Sequence, residues 1–293
     1  MDDGVVAVVR HFNRAHTKRV GALAESFLDT DRPYGPSRVL FEIGPHGTTT
    51  RDLRRRLALD SGYLSRMIHR LEREGLVATS VDPHDRRRRI VGLTVAGTAA
   101  WHDLDDRSNA LVTSLLADLT DSQRDRLADA LRTADRLLAS ADMTVDVVDP
   151  TSNAAVTAMT TYFAELDERF GGGFNPGETL VVDAPAMAAP SGTFLVASIG
   201  GRVAACGGVQ RHDHRTGEIK RMWVDPHWRG VGLGRRMLDR LEVATASLGY
   251  SRVVLDTNET LDEAIAMYQR AGYQSTDRYN DNPYAHQWFE KDL

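Results

Sequence analysis

A chain of 293 residues, 42% hydrophobic and carrying a net charge of −5, is long enough for two separate cores and has the mixed charge of a globular protein. No stretch approaches the roughly 20 apolar residues of a membrane span, the opening Met-Asp-Asp-Gly lacks the regions of a secretion signal, and one cysteine, Cys206, excludes an intramolecular disulfide or a cysteine-based zinc cluster. A cytoplasmic protein with no membrane segment is expected, and no metal, since His212 and His214 flank a turn without ligand spacing.

The charge is unevenly spread. Arg51 to Val91 holds 11 arginines against 6 carboxylates, a local excess of +5 in an acidic chain, which suits a polyanionic partner or simply solvated helix faces. Val5 to Phe27 repeats apolar residues with helical period, and Pro33 to Gly44 reads as a short helix with Pro36 near its start and Gly44 past its end. Thr49 and Asp52 resemble a capping box opening a helix to Leu57. After Ala58-Leu-Asp-Ser, a second helix from Ser61 to Glu74 buries Leu64, Met67, Ile68 and Leu71 and is closed by Gly75. Ser61, Gly62, Ser65, Arg66, His69, Arg70 and Arg73 are left facing outward. Small polar residues beside arginines suit a helix that enters a major groove. Val77 to Val81 and Arg89 to Thr94, joined by Asp82-Pro-His-Asp-Arg-Arg-Arg, make a basic hairpin whose arginines can follow a backbone or enter a narrow minor groove.

This arrangement resembles the MarR family of winged helix-turn-helix regulators, through Leu-Asp-Ser-Gly-Tyr-Leu-Ser-Arg, the Asp-x-Arg wing of Asp85 and Arg87, and the Leu-Thr-x-x-Gly exit at Leu93, Thr94 and Gly97. The resemblance covers about residues 1 to 140. It implies a mainly α domain over residues 1–142 and a double-stranded DNA operator met by Ser61, Ser65, Arg66, Arg70 and Arg87. It also implies a homodimer through the terminal helices of that domain. Helical stretches at about Ala96 to Leu119 and Ser122 to Ala139 offer Leu111, Leu115, Leu116, Leu127, Leu131 and Leu138 for it. A winged helix used only for protein contact is the alternative.

Asp142 to Pro150 reads as a linker passing into the first strand of a second domain, residues 143–293. Residues 151 to 170 look like two short helices. Strands follow at Phe194 to Ile199, Val203 to Gln210 and Glu218 to Val224, with turns at Gly200-Gly201 and Thr216-Gly217. Pro226 stops the last of these, and Arg229-Gly-Val-Gly-Leu-Gly leads into an amphipathic helix from Arg235 to Leu248 with Met237, Leu238, Leu241 and Ala244 on one face. A strand at Val253 to Asp256, a helix at Leu261 to Ala271 and terminal strands near Tyr273 and at His286 to Lys291 complete the order. No internal repeat is visible. Glycines at the mouth of a helix let a backbone approach an anion, and the unpaired N–H groups of the first turn point at it. The glycine spacing is not that of a nicotinamide fingerprint.

The turn resembles the acetyl-CoA signature of the GNAT N-acetyltransferases, Arg or Gln, two residues, Gly, any residue, Gly or Ala, and the element order matches that α/β fold with its mixed sheet. The resemblance implies acetyl-CoA held by Arg229, Gly230, Val231, Gly232, Gly234 and Arg235, with strand backbone at Met222 and Val224 bonding the pantetheine arm and Asn258 reaching the cofactor. It implies Glu218 as the base that deprotonates an amine and Tyr268 as the acid that protonates the departing thiolate. A strand carboxylate and a packed aromatic are the plain readings of those two. Tyr162 to Phe170 with Gly171-Gly-Gly-Phe-Asn-Pro resembles the segment over the acceptor, where Arg169 can hold a carboxylate and Phe170 and Phe174 pack on an apolar part; a surface loop is the plain reading. Cys206 is expected in the core. The expected protein is a regulator fused to an enzyme that acetylates a small primary amine directly, in a ternary complex. A regulator that senses acetyl-CoA or an amine without turnover and a protein lysine acetyltransferase stay open.

Overall fold

The computed structural model describes residues 3–83, 85, 87–170, 173–174 and 184–293. The chain divides into two compact units, 1–124 and 125–293, the division falling inside one helix, whereas the sequence places the change at 142/143.

In the first unit, α1 (Asp3–Arg19) buries none of its residues. Helical period continues to Phe27, but the helix stops at Arg19. Gly21 turns the chain with φ +68°, the N–H of Ala22 closes onto Thr17 O at 3.2 Å, and a 3-10 turn occupies Phe27–Asp29. Helix α2 (Tyr34–Ile43), strand β1 (Thr48–Thr49), helices α3 (Thr50–Leu57) and α4 (Ser61–Arg73), strands β2 (Val77–Val81) and β3 (Arg89–Leu93), and helix α5 (Val95–Leu116) follow. The strands form an antiparallel sheet ordered β1-β3-β2. Its Val77 and Val91 join Val39, Leu40, Leu53, Leu64, Ile68 and Leu71 in one core.

Each of the helices α3 to α5 opens on a side chain that accepts from its first turn: Thr49 from Asp52 N–H, Asp60 from Tyr63 N–H, and Thr94 from Gly97 N–H. Gly97 has to be glycine, because a Cβ there would stand 1.7 Å from Leu76 O. That contact is the physical content of the Leu-Thr-x-x-Gly exit.

Helix α6 (Asp121–Ala141) carries the chain into the second unit. The stretch after it, read as a linker, is strand β4 (Thr144–Val148), which pairs with β5 from Thr144↔Ser198 to Val148↔Phe194. Residues 153–169 form a single helix, α7 (Asn153–Arg169), and not two short ones. Ala155, Ala158, Met159, Phe163 and Leu166 repeat at helical spacing and are buried, so packing overrides the low helix propensity of the threonines between them.

Strands β5 (Thr193–Ile199), β6 (Arg202–Arg211), β7 (Thr216–Val224), β8 (Arg252–Thr257), β9 (Gln274–Ser275) and β10 (Gln287–Asp292) complete a seven-stranded sheet ordered β4-β5-β6-β7-β8-β10-β9. Among the described residues only the β7–β8 pair is parallel, so the sheet is mixed. The alternation of β5 assigns its two faces: Leu195, Ala197 and Ile199 share a core with Met237, Leu238 and Leu241 of α8 (Leu233–Ser247) and with Tyr268 of α9 (Asp262–Arg270), whereas Phe194 and Val196 pack with α7.

The turn expected at Thr216-Gly217 lies earlier. Asp213 Oδ1 accepts from the N–H groups of Arg215 and Thr216 at 2.7 and 2.9 Å, and β7 already begins at Thr216. Gly217 serves close packing, since a Cβ there would lie 2.7 Å from Thr245 Cγ2 on α8. Among the described residues no helix is long and apolar enough to cross a membrane.

Candidate functional site

Two features of β7 open the second unit. Its ladder with β8 runs from Thr216↔Arg252 to Glu218↔Val254 and stops there, so the strand from Lys220 to Val224 has an edge unpaired by β8. On the other edge, Cys206 pairs with Trp223 and Gly208 with Lys220, a bulge at which Arg221 takes φ +57°.

A cavity of about 410 Å³ lies along this edge, lined by Met222, Val224, Arg229, Gly230, Gly232 and Gly234 among others. Asp225 caps the 3-10 turn Pro226–Trp228 by accepting from His227 N–H at 2.8 Å. Gly230 and Gly232 then adopt φ +78° and +81°, with Gly232 as N-cap of α8 and no side chain capping the helix. Left-handed φ at both positions explains the glycines. Gly234 fits a different constraint, since a Cβ would come within 3.0 Å of Met267 Sδ. The first turn of α8 therefore lines the cavity with no side chain capping it, an arrangement that fits a diphosphate. Arg235, also on this wall, pairs with Asp239 at 2.8 Å, and Val231 turns its side chain into the core.

A second cavity, of about 520 Å³, is lined by Glu218, Lys220, Asp256, Asn280, Phe170 and Tyr284 among others. Glu218 is buried, and its Oε1 meets Lys220 Nζ at 2.7 Å, Tyr279 OH at 3.1 Å and Asn280 Nδ2 at 3.2 Å; Oε2 takes Gln210 Nε2 at 2.7 Å. Lys220 also binds Asp256 at 2.7 Å, and Asp256 accepts from Asn280 and Asn282. Burial works against charge on this pair, yet the Glu218 and Asp256 carboxylates raise the Lys220 ammonium above its ordinary value. Against the same burial, Lys220 and the Asn280 and Asn282 amides hold Asp256 below its own. Tyr279 is pushed up, by burial first and then by the Glu218 and Asp256 charges.

The two cavities share Tyr162, Leu166, Met222, Leu261, Ala264 and Tyr268 as a common wall. Tyr268 is buried, its hydroxyl 3.9 Å from Met222 Sδ, and burial, with smaller contributions from Tyr162 and Asp256, raises its phenol above the ordinary value.

Several expected positions fall elsewhere. Asn258 lines the second cavity and not the first; its Nδ2 donates to Tyr284 O at 2.8 Å and its Oδ1 accepts from Thr260 N–H at 2.9 Å, so its amide shapes a turn. Arg169 lines the first cavity, its Nε 2.8 Å from Glu165 Oε1. Phe170 and Phe174 do line the second, with rings 5.9 and 4.8 Å from Tyr284. Residues 171, 172, 175 and 176 of the expected acceptor segment lie outside the described residues. Cys206 is fully buried, as the apolar strand implied. Glu165, Tyr279, Asn280 and Asn282 are not among the expected site residues. Among these, only the run Tyr279-Asn-Asp-Asn-Pro-Tyr284 carries a signal, a cluster of hydrogen-bonding groups near the end of a β-rich segment.

In the first unit, Ser61, Ser65 and Arg66 are exposed on α4, opposite Leu64, Met67, Ile68 and Leu71. Arg70 pairs with Glu74 at 2.9 Å, and Arg66 lies over the Tyr63 ring. Arg87 is exposed between β2 and β3, beside an Asp85–Arg88 pair at 3.3 Å. His84 and Arg86 of the wing lie outside the described residues.

The model of the Acetyltransferase (GNAT) family matches residues 160–273, and that of the MarR family matches residues 30–88. An IAA acetyltransferase of Azospirillum brasilense is 34% identical over 128 residues, 43% of this chain and 82% of that protein. Solved structures that align with the chain include an acetyltransferase from Streptococcus agalactiae, 18% identical over 52% of this chain and 98% of that one, with TM-score 0.45. A GNAT family acetyltransferase from Elizabethkingia anophelis, solved with acetyl-CoA bound, is 16% identical over 52% and 99%, with TM-score 0.40. Acetyltransferases of this family use acetyl-CoA. The chain belongs to the GNAT acetyltransferase family, as a GNAT-type N-acetyltransferase whose enzyme domain is preceded by a domain of the MarR family.

Proposed function

We propose that the chain transfers acetyl from acetyl-CoA to a small primary amine held in the second cavity, by direct attack in a ternary complex, and that its N-terminal unit reads duplex DNA. The observation that carries the enzymatic reading is the shared wall, which brings two separate cavities together at Tyr268 and Met222. Two substrates can then be present together, and Cys206, deeply buried, is not needed as a relay.

Acetyl-CoA, when bound, supplies the acyl thioester. Gly230, Gly232, Gly234 and Arg235 would hold its diphosphate at the head of α8, with Arg229 beside them, and the edge of β7 at Met222 and Val224 that β8 leaves unpaired would hold the pantetheine arm as an added strand does, with Val224 O already taken by Arg229 Nε. Glu218 Oε2, which among the described residues takes a single donor from Gln210, keeps room to accept a proton from the amine or from a water bound to it. Tyr268, kept protonated by burial, is the donor for the departing sulfur. Asn258 supports the loop that carries Thr260, and Phe170, Phe174 and Tyr284 give the acceptor an aromatic surface. The Azospirillum relative is named for IAA; only the small-molecule class is carried over from it.

For the N-terminal unit, Ser61, Ser65, Arg66 and Arg70 would meet base edges and phosphates, with Arg87 on the adjoining backbone. The exposed Val5, Val8, Val9 and Phe12 of α1, a helix with no buried residue, and Leu115 of α5 would supply apolar surface for a homodimer.

Thiol release from acetyl-CoA across amino acids, polyamines, aminoglycosides and lysine peptides tests the enzymatic reading. Amine-dependent turnover on a small molecule, reduced about 10²-fold or more by Tyr268→Phe, is expected. Cofactor binding without release for any amine, or release with lysine peptides alone, would overturn it.

A further inference from the structure

Helix α7 presents Tyr162, Glu165, Leu166 and Arg169 to the first cavity, three and four residues apart. The Glu165 side chain is 15% exposed and draws in donors from three elements. Arg229 Nη2 stands 2.6 Å from both of its oxygens, Arg169 Nε 2.8 Å from Oε1, and Trp223 Nε1 2.8 Å from Oε2. The other end of the Arg229 fork is fixed as well, Nε donating to Val224 O at 3.0 Å.

A lone carboxylate on the wall of a diphosphate site would repel the ligand. Here it is shared by two guanidinium groups, so the trio keeps a net charge of +1 with both forks already oriented. The same carboxylate fastens Trp223 of the bulged strand to the arginine that precedes the glycine turn, linking two parts of the cofactor site.

We propose that Glu165 is a positioning residue for cofactor capture, assembling Arg229 and Arg169 beside the glycine turn and tying them to β7 through Trp223. This rests on the reading of the first cavity as the acetyl-CoA site. Glu165→Gln is the informative change. It keeps the volume but offers one acceptor oxygen to three donors, and its amide N–H groups face a guanidinium.

The full chain is titrated calorimetrically with CoA and with S-acetylpantetheine, which lacks the diphosphate. Glu165→Gln should bind CoA about tenfold more weakly, the scale of one charge-assisted hydrogen bond, and bind S-acetylpantetheine as the unaltered chain does. The indole N–H resonance of Trp223, identified with Trp223→Phe, should also shift in the ligand-free variant. Equal or tighter CoA binding would overturn the proposal, showing that Glu165 only repels the ligand. Equal weakening of both ligands would overturn it too, marking a general loss of the cavity. Failure of the unaltered chain to bind CoA would instead overturn the cavity reading, and this inference with it.

Discussion

Replacing Lys220 with Met tests the buried cluster beneath the acceptor cavity. The ammonium lies 2.7 Å from Glu218 and 2.7 Å from Asp256, with the lysine side chain 19% exposed and both acids 6%. At an effective dielectric of about 20, each contact is worth roughly 6 kcal/mol of gross attraction, set against several kcal/mol of desolvation per ion. The intact cluster therefore adds little net stability. Removing its cation leaves two buried carboxylates uncompensated, which costs about 3–5 kcal/mol, or roughly 6–20 °C in Tm for a unit of this size.

The pH dependence distinguishes this from a simple packing loss. In the unaltered chain, the stability contributed by Asp256 is present above its ordinary 3.8 and lost as pH falls through its lowered folded value. That contributed by Lys220 is present below 10.5 and lost as pH rises through its raised folded value. Neither group makes stability vary near neutrality. In Lys220→Met, Asp256 loses its cation while its burial remains, so its carboxyl shifts upward and the variant should be markedly less stable at about pH 8 than at about pH 5. Calorimetry of the full chain at both pH values measures this, with the transition of the first unit as internal reference. A loss under about 1 kcal/mol at the higher pH, or equal losses at both, would refute the reasoning.

The remaining expectations are independent of that cluster. Burial pushes the Cys206 thiol up to about 12, so a thiol reagent at about pH 8 should modify it only as fast as the chain unfolds; rapid modification of the folded chain would contradict its placement. Gly217→Ala should destabilise the second unit by about 1–3 kcal/mol through overpacking against Thr245, whereas a near-neutral effect in urea unfolding would mean that this approach is not tight. If Arg66 and Arg87 neutralise phosphates, Arg66→Ala and Arg87→Ala should each weaken duplex binding and lower the salt slope by about 1; an unchanged slope would remove those residues from the interface.

The local signals in the sequence were the ones that local chemistry sets. The glycine turn was legible because two left-handed positions and an uncapped helix start admit few other residues. The helix-turn-helix was legible because its caps and its buried stripe lie within single elements. Contacts across long separations left little trace. Glu165 is an ordinary polar position on a helix until Trp223 and Arg229, 58 and 64 residues on, fold against it. Asn258 sits at the end of a strand, where either a ligand or a turn would use its amide, and the acceptor for its Nδ2, Tyr284 O, belongs to a residue 26 positions away that the local sequence does not announce. Arg169 was assigned to the acceptor from its neighbourhood in the chain, but the turn of α7 brings it to Glu165 on the other cavity. The bulge at Arg221 has no composition to announce it, being a left-handed residue without a glycine.

The last turns of α6 bear on how this polypeptide can be divided. Arg136 Nη1 donates to the carbonyls of His227 and Arg229 at 3.2 and 3.4 Å, and Ser140 O accepts from Arg236 of α8. Judged by its periodicity, this stretch closes the regulatory half, yet it braces the loop on which the glycine turn is built. An enzyme fragment cut at residue 143 would lose both braces, whereas one cut ahead of Asp125 would keep them. Any exchange of partners between such modules, in the laboratory or over evolution, would therefore have to carry this helix along with the catalytic half.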